Sequence, residues 1–232
     1  IFGVDVDSGQ LRFIMADHED WASDFEEYLL TPVDESGNPL FDFSTQDGID
    51  LANSKFWTWG QHNIVEIPNA EIGILEFLVF DNGNYRSRDD ARSLLPKDNF
   101  SRVVQFRIDL NTMTVTRSYE YGKDEVGSRG YSSFVSAKHL LSNGNLVIHF
   151  GASTMDENGR PLSAQPGYSD IVDPQDGSQA LGMLVLQEIN KQTKQLLFEA
   201  TVTSGYYKNA EVNGDDYRYD ISAFRVYKLP LF

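Results

Sequence analysis

The chain has 232 residues, 35 Asp and Glu against 19 Lys and Arg for a net charge of −16, no cysteine, and 12% aromatic residues. That balance leaves no basic stripe to displace counterions, which excludes nucleic acid as a partner, and any anionic ligand must be held by local cations. No run of 18 apolar residues occurs, so no membrane-spanning helix is expected; a core of this size needs no disulfides, which leaves the compartment open.

Val, Ile, Phe and Tyr dominate the apolar runs, and period-2 alternation is the main pattern, so strands are expected throughout. The sequence opens on Ile1 in mid-pattern, without Met or a leader, which suggests a processed or truncated product. Phe2 to Ala16 reads as a hairpin turning at Ser8-Gly9. Trp21 to Tyr28 suits a short helix, and little else looks helical. The stretch 30–55, rich in Asp, Ser, Gly and Pro, reads as an inserted loop. After it comes FWTWGQHN (56–63), which sets His62 behind three aromatic residues.

Asn63 to Phe80 then reads as a hairpin turning near Pro68 to Glu71, and Val103 to Tyr121 as another around Asn111-Thr112. His139 to Phe150 carries the tight-turn signal Asn143-Gly144, and Gly182 to Val202 turns at Lys191 to Lys194. Three hairpins share an Asp or Asn where the turn begins: Asp5, Asp109 and Asn190. Two kinds of hairpin alternate to give four strands per unit, the signature of a β-propeller, with a β-sandwich as the rival. A propeller closes with about four to eight blades, and this chain supplies about two and a half. The expected fold is therefore all-β, with residues 1–232 forming part of a single propeller domain whose open edges need a further segment to cover them.

The sequence holds no GxSxG, P-loop, GxGxxG, HxH or HExxH, so neither a metal nor a cofactor is expected. The acidic runs at 155–159 and 173–176 lack EF-hand spacing and read as solvated turns. Of the four histidines, His149 lies inside an apolar strand, His139 starts a strand beside Lys138, and His18 sits among acids and should be exposed. His62 falls at a strand entrance. There the rings before it could lower the local dielectric and offer a flat ligand a stacking surface, and a partly desolvated imidazole stays neutral, as a nucleophile must. The plainer alternative is a core strand whose histidine happens to fit.

An ordered series of segments carries a family resemblance: LLTPVDESGNPL (29–40), WTWGQHN (57–63), VFDNGNYR (79–86), FSRVVQFRID (100–109), YEYGK (119–123), YSSFVS (131–136) and FRVYKLPLF (224–232). Together they resemble the C-terminal part of the bacterial arylsulfate sulfotransferases, six-bladed propeller enzymes that need no nucleotide sulfate donor. The resemblance implies that His62 is the nucleophile, transiently sulfurylated in a ping-pong transfer from a phenolic sulfate ester to a phenol. It implies substrate-binding positions at Phe224, Ser136 and Arg102, although structural roles for Arg86 and Arg102 fit their strand-end and turn positions as well. It also implies an exported protein, periplasmic or extracellular. The family's second histidine and its arginine, on DW-x-H-x-N and SSR-type elements, have no counterpart here and are expected upstream, so this part alone should be inactive until the N-terminal blades complete it.

Three departures from the family stand out. Val135 falls near a site threonine, Phe224 replaces a tyrosine, and the 30–55 loop lacks the disulfide of some relatives. They leave room for a different substrate range, or for a non-catalytic binding module that keeps the scaffold.

Overall fold

The computed structural model describes residues 1–69, 71–94, 98–155, 181–203, 211–212, 215–216, 225–226 and 228. The acidic runs at 156–159 and 173–176 lie outside these residues, and so does Phe224. The chain is mostly β. Strands β1 (Phe2–Val4) and β2 (Leu11–Ile14) form an N-terminal hairpin. A short helix α1 (Ser23–Glu26), the edge strand β3 (Thr31–Pro32) and a ten-residue helix α2 (Gln46–Lys55) follow.

Two antiparallel meanders make the body. The first runs through β4 (Gln61–Ile67), β5 (Ile74–Asp81), β6 (Arg102–Asp109) and β7 (Thr114–Tyr121), and β3 adds in parallel to β7 to make five strands. A helical turn α3 (Lys123–Val126) leads to the second: β8 (Ala137–Leu140), β9 (Leu146–Met155), β10 (Leu181–Ile189) and β11 (Leu196–Thr203). The fragments β12 (Glu211–Val212) and β13 (Asp215–Asp216) pair with each other. The described residues form no closed ring of sheets.

Both faces of β5 are buried, which explains why it is apolar at nearly every position, ILEFLVFD. Phe77 and Val79 face a core shared with Phe13, Met15, Leu30, Phe56 and Trp57. Leu78 and Phe80 face the opposite way, against Ile148 and Phe150 of β9 and Met183 and Val185 of β10. One strand thus joins the two cores through its period of two.

The repeated Asp or Asn has a local cause. Oδ1 of Asp5 accepts the Ser8 amide at 2.9 Å, Oδ1 of Asp109 that of Asn111 at 2.8 Å, and Oδ1 of Asn190 those of Gln192 and Thr193 at 3.0 Å. Each turn closes four residues later on a left-handed residue: Gly9 (φ 69°), Met113 (φ 54°) or Lys194 (φ 58°). A short carboxylate or amide side chain at the first turn position satisfies amides that the ladder cannot reach.

One expectation is corrected. The 30–55 stretch is not all loop, because α2 occupies its second half. Gly48, Asp47, Asn53 and Ser54 are poor helix formers, so no strong helical pattern shows in the sequence. The helix forms because Thr45 Oγ1 caps it by accepting the Gly48 amide at 3.1 Å, and because Ala52 and Asn53 are buried against the body. Asn53 Nδ2 donates to Glu19 Oε2 at 3.1 Å.

Candidate active site

Helix α2 delivers the chain directly into FWTWGQHN. Its end is pinned by the Phe56 and Trp57 amides, which both donate to the Ala52 carbonyl at 2.8 and 3.1 Å. Phe56 and Trp57 are each 1% exposed and pack edge to face, with centroids 5.1 Å apart at 88°. His18 stacks over Trp57 at 5.7 Å and over Phe43 at 3.9 Å. Phe56 and Trp57 are therefore a foundation rather than a stacking surface for a ligand, whereas Trp59 stays partly exposed with its Nε1 donating to the Asn53 carbonyl at 3.0 Å. His18 is corrected as well: it is half-buried, with Nε2 3.0 Å from the Leu30 carbonyl, and burial lowers its basicity against the opposing pulls of that carbonyl and of Asp17.

Beneath this segment lies a buried charge cluster. Asp81, at the end of β5, is fully buried and accepts the Trp59 amide at 2.7 Å and the Gly83 amide at 3.0 Å on Oδ1. Its Oδ2 takes Arg102 Nε at 2.9 Å and Arg86 Nη2 at 3.2 Å. Arg102 spends its remaining donors on the carbonyls of Lys55 (2.9 Å), Phe56 (3.0 Å) and Trp57 (2.9 Å) and on Glu120 Oε1 (3.1 Å). Arg86 reaches Asn99 Oδ1 at 3.0 Å and the Phe100 carbonyl at 2.8 Å. Burial pushes the Arg86 guanidinium down to about 10, with Asp81 acting in the opposite direction. Arg102 thus has no donor left for a substrate. Its place is under the site as a clamp, which corrects the substrate-binding expectation: its planar fork matches the row of carbonyls that the turn presents.

The Trp59 carbonyl accepts the Gly83 and Asn84 amides at 2.6 and 3.0 Å, which carries the chain onto β4. Gly60 makes the corner at φ 76°, where an added Cβ would meet the Asn84 amide at 3.0 Å. His62 pairs in register with Phe80, ring centroids 5.5 Å apart. The ladder then breaks between His62 and Val65, and Asn63 takes the left-handed conformation at φ 54°.

The His62 imidazole is half-buried, with Nε2 2.7 Å from the Ser136 carbonyl and Nδ1 3.3 Å from the Gly60 carbonyl. A neutral ring carries one proton, so one of these carbonyls accepts it while the other nitrogen keeps its lone pair.

Ser136 belongs to a tightly held loop. Asn82 Nδ2 donates to the carbonyls of Ser132 (2.5 Å) and Val135 (3.2 Å), and the Ser132 amide donates to Ser101 Oγ at 2.8 Å. Ser136 Oγ donates to Ser132 Oγ at 3.0 Å and accepts the Gly151 amide at 2.9 Å. Val135 and Ser136 lie at φ 53° and 83°, and a β-branched residue is rare there. Left-handed backbone thus flanks the imidazole on two sides, at Asn63 next to it in sequence and at Val135 and Ser136 across the Nε2 contact.

The structure therefore brings His62 and Ser136 together, with Ser136 contributing its carbonyl and its hydroxyl turned inward. Sequence reasoning missed Asp81, Asn82, Asn63 and Lys138, none of which forms a motif by itself. Lys138 is 3% exposed; its amide donates to Asn63 Oδ1 at 3.0 Å, and its ammonium bonds the Asn63 carbonyl and lies 3.3 Å from Oδ1.

The candidate site is thus a strand-entrance histidine braced by a buried charge cluster and held by left-handed loop residues. The family follows from comparison: the Arylsulfotransferase (ASST) family model matches residues 1–213, and the chain belongs to that family. It is 30% identical over 145 residues to the arylsulfate sulfotransferase AssT of Escherichia coli O6:H1 (strain CFT073), covering 62% of this chain and 22% of that protein. It is 28% identical over 154 residues to the arylsulfate sulfotransferase AssT of Lelliottia amnigena, covering 66% and 24%. The chain thus spans under a quarter of the length of the curated relatives it matches.

Proposed function

We propose that this chain is the C-terminal portion of an aryl sulfotransferase that moves a sulfuryl group from a phenolic sulfate ester to a phenol through a sulfohistidine at His62. The observation that carries the reading is the half-buried imidazole, bonded to two carbonyls and aimed by a rigid frame, inside a family match. A His62 ring nitrogen attacks sulfur and forms N–S as the S–O bond to the aryl group breaks; the phenolate leaves and takes the proton of the imidazole N–H. A second phenol oxygen then attacks sulfur, N–S breaks, the phenol's proton passes to the ring, and the neutral imidazole returns. Splitting the transfer lets one site serve donor and acceptor in turn. No metal or cofactor enters.

The two meanders fit neighbouring blades of a propeller, since β4 and β8 lie beside each other as innermost strands would. The remaining blades, with the cations that hold the sulfuryl oxygens, belong to the N-terminal part. The 232-residue chain alone is inactive, and the parent works in the periplasm or outside the cell. Among the described residues no helix is long and apolar enough to cross a membrane.

The test is mass spectrometry of the full-length parent quenched with an aryl sulfate. A sulfuryl adduct on His62, lost in His62→Ala, is expected. Turnover by His62→Ala at the parental rate would sink the proposal, and phenol release by the isolated chain would overturn its inactivity.

A further inference from the structure

The fate of buried cations in this chain is uneven. Arg86 and Arg102 are matched by Asp81 and Glu120. Lys138 is almost as deeply buried, yet among the described residues no carboxylate pairs with it. In a chain with 35 acids that omission stands out, because a buried ammonium without a counter-charge is costly and carboxylates are in surplus. A neutral donor would serve as well if only the Asn63 carbonyl needed a partner.

The partner is what gives Lys138 meaning. Asn63 follows His62 directly and lies in the bulge of β4, so the amide and ammonium of Lys138 grip the residue next to the imidazole where the ladder breaks. Burial pushes Lys138 down to about 8, so at neutral pH it remains largely charged.

We propose that Lys138 is a positioning residue for His62: it clasps the Asn63 bulge, and its unmatched positive charge is held for the sulfuryl group that His62 receives. The inference rests on the sulfohistidine reading. The sulfate ester and the sulfohistidine both carry negative charge beside the imidazole, so the counter-ion missing from the protein arrives with the substrate. Lys138 acts through the bulge and through its field, without touching the substrate.

The experiment compares full-length parent, Lys138→Met, Lys138→Gln and Lys138→Arg by rapid quench with an aryl sulfate, reading the rate of adduct formation on His62 beside each thermal midpoint. Gln keeps a donor without charge, Met keeps neither, and Arg keeps both. Met and Gln should fold and slow the adduct about 100-fold, the scale on which a misplaced reacting group costs rate, while Arg stays within about tenfold of the parent. Met or Gln at the parental rate overturns the inference. A folded Arg variant as slow as Met also overturns it, since the role would then be packing alone. Should Met fail to fold, Gln against Arg decides the question. No adduct in the parent itself refutes the sulfohistidine reading; an adduct unaffected by these substitutions refutes Lys138 alone.

Discussion

Asp81→Asn isolates the charge that holds the site together. The substitution keeps volume, and Oδ1 can still accept the Trp59 and Gly83 amides at 2.7 and 3.0 Å. The other position becomes an NH2 group facing Arg102 Nε and Arg86 Nη2, which sit 2.9 and 3.2 Å from the present Oδ2. Flipping the amide only moves the conflict onto the two backbone donors. Removing one partner of a buried ion pair costs about 3–5 kcal/mol, which should lower the thermal midpoint by several degrees.

Glu120→Gln is the control. Its carboxylate also meets Arg102, at 3.1 Å, but is 25% exposed, so its loss should cost no more than about 1 kcal/mol. Scanning calorimetry or thermal circular dichroism on the full-length parent reads both. Since Asp81 also fixes the Trp59 amide, adduct formation at His62 should fall with the midpoint. A drop for Asp81→Asn no larger than for Glu120→Gln would refute the reasoning, for Asp81 would then not be the counter-ion of the two guanidiniums.

Further expectations concern the frame around the site. Trp57→Ala should cost about 3–5 kcal/mol in denaturant unfolding, since the ring is 1% exposed and underlies the turn to β4; a loss below about 1 kcal/mol would contradict its place in the core. Gly144→Ala should cost about 1–2 kcal/mol from backbone alone, because φ is 83° and no atom lies within 4 Å of the added methyl. Lys138 is held at about 8 in the folded chain against its ordinary 10.5. Between those values the unfolded chain binds more protons, so this group makes stability rise with pH; below about 8 both states are protonated and the full penalty of the buried ammonium remains. The thermal midpoint of Lys138→Met relative to the parent should therefore be highest at neutral pH and decline through this window. A difference that does not change with pH would show that Lys138 is not desolvated.

Several functional details were legible because they are local. The hairpins and their turns follow from alternation and from Asp5, Asp109 and Asn190, whose side chains bond amides two or three residues on. His62 stands out in the sequence through its aromatic prelude and the family pattern around it. Helix α2 was less legible, since its own residues favour it weakly and its burial against the body holds it.

The sequence by itself determined the all-β character, the hairpin order, the family and the candidate nucleophile, for strand period, turn chemistry and ordered motifs are written in neighbouring residues. Only the tertiary structure decided which charged side chains brace the site. Arg102 became an anchor because the carbonyls of residues 55–57, some 45 positions away, fold over it and use its donors. Lys138 came to grip Asn63 across 75 residues. A guanidinium or ammonium has the same chemistry in either role, and what separates an anchor from a ligand-binding group is whether distant acceptors have already filled its hydrogen bonds.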